Sequence, residues 1–311
     1  MDELQARPVL RALSIGEIFD RAVTMYVRNF VVFTLTVLTL LVPLGVLEYF
    51  LTASSTSSLA QLMQQIAHPT SPMSSYSSTQ IGAFSLLILV AAIFSPFTNN
   101  AVAVGVAAIY AGRTPTYRDG YARVLRRWGP LVGAMLLCVL IFIGAYLAIV
   151  LGVTILVLTG TALLAAAPAL GIPLALVGIV LLLAVVLFFL LLVLCCAFTL
   201  YATTIEEVSP ADAFGESFRR IFNRRELGKA TLISLAYLAI EFGAAFLGGA
   251  VGLLVLSAVH STIAQLAVNT VINAAVTAFI TILVAVYYYD VRTRSEGLDL
   301  EVELERLTAP T

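Results

Sequence analysis

Long apolar runs alternate with short charged segments along the whole sequence. A helix needs about 20 mostly apolar residues to cross a bilayer, and six runs reach that length. They cover residues 30–51, 81–111, 131–158, 174–202, 230–259 and 264–289. Pro96 inside the second run predicts a kink there. The pattern predicts an all-α, polytopic transmembrane helical bundle of six spans, forming a single membrane domain over residues 1–311.

Two of the gaps between the apolar runs have compositions that predict a connecting loop. The stretch 161–173 is apolar but rich in alanine, glycine and proline, which favours a loop or an interfacial turn. The longest gap, 52–80, is rich in serine and is typical of a flexible connector.

Three charged segments share one pattern, beginning at Ser14, Thr114 and Ser209. Each of these residues can cap a helix, and apolar residues follow at spacings that form one helix face. These are Ile18, Ala22, Met25, Tyr26, then Tyr117, Tyr121, Val124, Leu125, then Phe214, Phe218, Ile221 and Phe222. Arginines occupy the other face, as in helices that lie in the membrane interface.

Each amphipathic segment precedes two apolar runs. The sequence therefore predicts three parallel repeats of an interfacial helix plus a helical hairpin, at approximately 14–113, 114–208 and 209–296. Residues 297–311 follow as a cytoplasmic tail.

Composition agrees with a membrane protein. The chain is 60% hydrophobic and 11% charged, whereas soluble domains carry about 25% charged residues. A net charge of −1 argues against nucleic acid as a partner. The three cysteines all lie in apolar runs and are interpreted as packing residues, so neither a disulfide framework nor a metal site nor a cofactor is expected.

The positive charges give an orientation. All 17 lysines and arginines lie before the first run, in the gaps 112–130 and 203–229, or after the last run. Positive residues beside spans stay in the cytoplasm. Six spans with this alternation place the N- and C-termini in the cytoplasm.

Two acids lie inside the runs, where charge is costly and functional roles are common. Glu241 follows Lys229 by 12 residues, or about 18 Å of helix, which predicts a place near the middle of the membrane. Glu48 is predicted near the outer interface, about 30 Å beyond Arg28. Glu241 also belongs to a stripe that ends in the closely spaced Gly248 and Gly252, a pattern that allows two helices to approach each other.

Other polar residues are predicted at the depth of Glu241. The candidate midplane cluster is Glu241, Asn99, Asn100, Asn273 and Thr277. In one interpretation these groups hold the helices together by hydrogen bonds. In the other they line a substrate or proton site, as in many transporters.

The basic segments leave a second pair of interpretations open. Either they only anchor and orient the spans, or they bind anionic lipid headgroups. The candidate contacts are Arg123, Arg126, Arg127, Arg219 and Arg220. Three tyrosines at the end of the last run, Tyr287 to Tyr289, are interpreted as an aromatic belt at the interface.

The two ends of the chain carry a family resemblance. The opening LSIGEIFDRAVTMYVRNF and the closing YYYDVRTRSEGLDLE resemble the membrane domain that is fused to some bacterial glycerophosphoryl diester phosphodiesterases and its stand-alone relatives. The resemblance implies the bacterial cytoplasmic (inner) membrane. It implies no phosphodiesterase activity, which in that family belongs to a separate soluble domain.

Two functions remain open. No metal pair, phosphate loop or nucleophile with a base occurs in the sequence, so the chain is not expected to be an enzyme. One interpretation is a membrane-embedded scaffold or accessory protein for envelope or lipid processes. The alternative is a small-molecule or lipid transporter that uses the midplane cluster. Membrane lipids are expected partners, and a scaffold adds another membrane or envelope protein.

Overall fold

The computed structural model describes residues 12–52, 78–166 and 171–296, and these residues form nine helices. The helices are α1 (Ile15–Arg28), α2 (Phe30–Thr52), α3 (Ser78–Tyr110), α4 (Tyr117–Arg126), α5 (Trp128–Ala166), α6 (Gly171–Ile205), α7 (Pro210–Ile221), α8 (Leu227–Val259) and α9 (Thr262–Glu296). Helices α2, α3, α5, α6, α8 and α9 are long and apolar enough to cross a membrane. The predicted fold class, an all-α membrane bundle with six spans, is confirmed. The division into three repeats stays a prediction, and the tail 297–311 lies outside the described residues.

The three short helices begin at side-chain caps. Ser14 accepts a hydrogen bond from the backbone N–H of Glu17, whose carboxylate accepts one from the N–H of Ser14 at 2.8 Å. At the start of α7, Ser209 accepts a hydrogen bond from the backbone N–H of Asp212 at 3.3 Å. In α4 the cap is Thr116 rather than the predicted Thr114. Each cap satisfies an N–H group that the first helical turn would otherwise leave without a partner.

The span α9 is the central element of the bundle. It packs against α1, α2, α3, α6, α7 and α8, and 56% of its span is buried, whereas α5 at the edge is only 6% buried. Helices α4 and α7 each pack against the span that precedes them, α3 and α6 respectively, whereas α1 packs against α9, the last described span. The short helices thus close one end of the bundle.

One predicted turn was wrong in its extent. Within 161–173, α5 continues to Ala166 and α6 begins at Gly171. Leucine and alanine are strong helix formers, which explains the extension of α5. Pro173 lies in the first turn of α6, where a missing N–H costs no intrahelical hydrogen bond.

The bundle has two unlike halves. The charged half is the half next to α1, α4 and α7, and the uncharged half is the opposite one. Large side chains such as Phe33, Phe198 and Ile282 are fully buried in the charged half. In the uncharged half, α8 packs on α9 through glycines, and a side chain on Gly252 would meet the amide of Asn269 at 2.8 Å. The close approach predicted from Gly248 and Gly252 is confirmed.

A buried carboxylate fastens the end of the charged half. The side chain of Asp290 on α9 is fully buried and accepts hydrogen bonds from the Leu13 N–H at 2.6 Å and from Lys229 Nζ at 2.9 Å. Arg294 Nε lies 3.2 Å from the same carboxylate. Lys229 and Arg294 also both donate to the Leu13 carbonyl, each at 2.6 Å. Asp290 thus joins the start of α1, the start of α8 and the end of α9, and we call this contact the Asp290 node.

A second acid joins α6 to α7 and α9. Glu206 lies 3.4 Å from Arg220 Nη1 and 3.5 Å from Arg292 Nε, and it accepts a hydrogen bond from the Tyr288 hydroxyl. Tyr287 and Tyr288 are fully buried. The predicted interfacial aromatic belt was therefore wrong for them. Because α9 is surrounded by other helices, its aromatic residues contact protein at the level where an outer helix would meet headgroups.

Candidate functional site

A cavity of about 400 Å³ lies between α3, α5, α6, α8 and α9. Most of its wall is apolar. The polar or polarisable lining residues are Ser95, Asn99, Met135, Cys138, Cys196, Tyr201, Tyr237, Glu241, Thr277 and Thr281. It is large enough for a small organic molecule, because binding pockets in proteins begin at about 300 Å³.

Glu241 is the acid of this cavity. It lies on α8, one helical turn after Tyr237, and both residues line the cavity. Its carboxyl group forms no hydrogen bond or ion pair with the residues that the structure describes. Carboxylates inside membrane spans are otherwise found paired or facing water-filled spaces. Glu241 is therefore the side chain of the cavity with the greatest unmet capacity to bind a partner.

The opposite wall carries a small hydrogen-bonded group. Thr281 on α9 donates to the Thr277 carbonyl at 2.8 Å and lies 3.4 Å from Asn99 Oδ1 on α3. These contacts connect two spans across the cavity wall. The Thr281 hydroxyl and Asn99 Oδ1 are thus already engaged in contacts within the protein.

Pro96 leaves one carbonyl of α3 without its helical donor. Proline has no N–H, so the Ala92 carbonyl one turn earlier cannot receive its usual helical hydrogen bond. Ala92 and Pro96 both line the cavity. The neighbouring Asn100 donates its amide to the Pro96 carbonyl at 2.8 Å.

The structure brings together three of the five residues of the predicted cluster. Glu241, Asn99 and Thr277 line the cavity, whereas Asn100 and Asn273 are not among its lining residues. Asn100 is fully buried, because one residue turns a helix by about 100° and so directs Asn100 away from Asn99. Asn273 is exposed.

The prediction failed for Asn273 for a geometric reason: it depended on polar residues that recur every four positions along α9, at 265, 269, 273, 277 and 281. Residues four apart rotate by about 40° at each step around an α-helix. The polar stripe from Gln265 to Thr281 therefore winds around α9 instead of keeping one face. Asn269 ends beside Gly252 on α8, and Thr281 ends beside Asn99.

Sequence reasoning missed the contribution of α5. Met135, Cys138 and Phe142 of this helix line the cavity, together with Cys196 and Tyr201 of α6. Helix α5 is apolar on every side, so no stripe marked its inward face. The cysteines were the available signal, since they are the most polarisable groups of these spans.

The predicted lipid-contact arginines fall into two groups. Arg123 donates to the Thr204 and Ile205 carbonyls at 3.3 and 3.2 Å, where it caps the end of α6. Arg123 and Arg127 also lie 3.6 and 3.7 Å from Glu207. These two side chains mainly hold α4 against α6.

The remaining three arginines differ in exposure. Arg220 is buried and paired with Glu206, so the prediction that it contacts lipid was wrong. Arg219 is exposed and forms two hydrogen bonds to Glu216. Arg126 is exposed as well. Lipid contact stays a prediction for Arg126 and Arg219.

Among residues 12–52, 78–166 and 171–296, no group of three or more histidine, cysteine or acidic side chains lies close enough together to hold a metal ion. Comparison with models of protein families found no match. No curated protein and no solved structure matched the chain either. The resemblance of the chain ends to the phosphodiesterase-associated membrane domain therefore stays a prediction.

Proposed function

We propose that this multi-pass membrane protein binds a small amphiphilic molecule in the cavity beside Glu241, as a transporter or a lipid-handling protein does. The observation that carries the proposal is the cavity itself: about 400 Å³, lined by one carboxyl group and a largely apolar wall. A cavity of this kind matches the usual binding site for small molecules, in which a few polar groups orient an apolar ligand.

The location of the cavity supports this function. Glu241 lies about 18 Å along α8 from Lys229, roughly halfway across a hydrocarbon core of about 30 Å. Transporters commonly place their sites near this depth, beside broken or kinked helices. Pro96 gives α3 such an interruption at the cavity wall.

We place the charged half on the cytoplasmic side of the bacterial inner membrane, with both termini inside. All lysines and arginines of the sequence lie in or beside the short helices, at the ends of α8 and α9 that adjoin the charged half, or in the terminal segments, and this asymmetry supports the orientation. Membership of the phosphodiesterase-associated membrane family is part of the proposal. The Asp290 node supports this membership, because the node joins the two segments of the chain that carry the resemblance.

A scaffold or accessory role is the second candidate. The observation that favours it is the weak coverage of α5, of which 6% is buried. Its exposed apolar side chains include Leu140, Tyr146 and Leu147. A partner span from an envelope or lipid-processing protein would cover this surface. No catalytic activity is proposed for either role.

Extraction of the full chain into native-lipid nanodiscs, followed by native mass spectrometry, tests both candidates. The cavity function predicts a discrete bound amphiphile on the parent that is lost in Glu241→Gln. Glu48→Gln is the matched control, because Glu48 lies in a span but not among the cavity residues, and this variant is expected to keep the ligand. A stoichiometric partner chain, held equally by all three proteins with no amphiphile, would contradict the cavity function and favour the scaffold.

A further inference from the structure

The charge of the cavity indicates the class of its ligand, an inference that rests on the proposed function. Glu241 is an acid without a hydrogen bond or ion pair to the described residues. Among those residues, no lysine, arginine or histidine lines the cavity. An anionic ligand would meet a carboxylate of its own sign and no compensating positive charge, and a buried unpaired anion is costly.

The uncharged polar groups favour a hydrogen-bond donor. The Ala92 carbonyl on α3 lacks its helical donor because of Pro96, and Ala92 lines the same cavity as Glu241. The Thr281 hydroxyl already donates to the Thr277 carbonyl. The hydroxyls of Ser95, Tyr201 and Tyr237 also line the cavity and can accept as well as donate. Together with the Glu241 carboxylate they can therefore satisfy an ammonium group, which carries up to three donors.

Aromatic side chains suit the same ligand. Phe142, Tyr201 and Tyr237 line the cavity with Glu241. Aromatic faces attract organic cations, most strongly where water is excluded. Glu241 would supply the counter-charge, and the rings would contact the carbon atoms next to the nitrogen.

The size of the cavity limits the ligand. A liquid water molecule occupies about 30 Å³, so about 400 Å³ accommodates roughly a dozen atoms other than hydrogen at that spacing. An aryl or alkyl group with a short amine arm fits this volume. The apolar wall formed by Val139, Ile280 and Val284 would contact its hydrocarbon part.

We propose that the ligand of this cavity is an amphiphilic amine, bound as a cation with its ammonium group on Glu241 and its hydrocarbon part against α5 and α9. The contact with Glu241 would make the cavity bind the amine more tightly than neutral or anionic amphiphiles of equal size. Apolar burial alone would not distinguish them.

The cysteines of the protein provide a built-in assay. Cys138 and Cys196 line the cavity, whereas Cys195 is fully buried and is not among the lining residues. Full-length protein in nanodiscs is treated with N-phenylmaleimide, and the modification of each cysteine is followed by mass spectrometry. A ligand in the cavity slows modification of Cys138 and Cys196. Three probes of about eleven or twelve non-hydrogen atoms, close to the estimated capacity, are compared: 4-phenylbutylamine, 4-phenylbutanol and 4-phenylbutyrate.

The amine is expected to protect both cysteines at a concentration about tenfold or more below that of the alcohol. The reason is that a charge-assisted hydrogen bond to Glu241 strengthens the binding of the amine. Phenylbutyrate is expected to protect least. In Glu241→Gln the amine loses its advantage while protection by the alcohol is unchanged, which shows that the variant is folded. In Glu48→Gln the three probes are expected to protect the cysteines in the same order as in the parent protein.

Equal protection by amine and alcohol, or stronger protection by phenylbutyrate, would overturn the assignment of an amine and leave binding in the cavity intact. Persistence of the amine's advantage in Glu241→Gln would overturn it as well. Failure of all three probes to protect either cysteine would contradict the proposed function itself, and the amine assignment with it.

Discussion

The charged end of the bundle and its middle treat a carboxylate inside the protein in opposite ways. In the charged half, the buried carboxylate of Asp290 is surrounded by two cations and a backbone N–H. Near the middle of the bundle, Glu241 faces a cavity and has no such partner among the described residues. The charged half therefore ends in a rigid platform, whereas the middle of the bundle keeps a carboxyl group available for a ligand.

The same contrast holds for packing. Large side chains fill the charged half, where α1, α4 and α7 close the bundle. In the uncharged half α8 and α9 meet through glycines, and α5 stands at the edge. A region with few buried contacts is the part of a protein that can open at low cost. Ligand exchange is thus expected through the uncharged half, with the platform unchanged.

Loss of the Asp290 node is the largest effect expected. Asp290→Asn removes the charge that compensates Lys229 and Arg294, and an unpaired buried charge costs about 3–5 kcal/mol. We expect the variant to unfold at a much lower denaturant concentration in detergent, as followed by circular dichroism. Asp20→Asn is the control, because Asp20 is exposed on α1, and its stability is expected to change by no more than about 0.5 kcal/mol. Equal loss in both variants would show that the node does not hold the platform.

A smaller effect is expected where α4 approaches α3. A Cβ atom on Gly120 would lie 2.8 Å from the Ala101 carbonyl oxygen, which is backbone and cannot turn aside. Gly120→Ala is therefore expected to lower the free energy of unfolding by about 1–3 kcal/mol, measured by the same denaturation experiment.

Gly215 in α7 is the matched control for Gly120. It occupies the corresponding position six residues after Ser209, as Gly120 does after Thr114, but no atom lies within 4 Å of its added Cβ. Gly215→Ala is expected to raise stability by about 0.5–1 kcal/mol, because alanine favours the helix. Destabilisation of both variants to the same degree would contradict a specific contact between α4 and α3.

The smallest effect is expected at the turn between α8 and α9, in the uncharged half. His260 has a φ of 53°, a left-handed conformation that glycine adopts without the steric cost of a Cβ atom. His260→Gly is expected to stabilise the protein by about 0.5–1 kcal/mol, after allowance for the greater entropy of glycine in the unfolded chain. The neighbouring Ser261 does not have a positive φ, so Ser261→Gly is expected to give no gain. A loss of stability in His260→Gly would contradict this account of the turn.

The sequence predicted what depends on composition and local pattern. Six apolar runs gave six spans, and Ser14 and Glu17 gave the capping box of α1. The separation of Glu241 from Lys229 along α8 followed from a count of residues along one helix. These properties need no knowledge of which helix lies beside which.

What could not be predicted depends on the neighbours of each helix. Tyr287 and Tyr288 looked like interfacial residues because their run ends there, but α9 is central and buries them. Arg220 looked like a surface charge, but Glu206, which directly follows the preceding span, lies beside it. Phe142 and Cys138 face the cavity because of how α5 packs on α6, and a uniformly apolar helix carries no pattern that reveals this.

Both proposals depend on a cavity beside Glu241 that small molecules can enter, next to a packed core that stays closed. The most direct test is the rate at which N-phenylmaleimide modifies the three cysteines of delipidated protein reconstituted in nanodiscs. Cys138 and Cys196 are expected to react at least about tenfold faster than Cys195, since apolar reagents can enter the cavity but not the packed core. Equal rates at all three cysteines, or no reaction at Cys138 and Cys196 under conditions that label the unfolded chain, would contradict the claim.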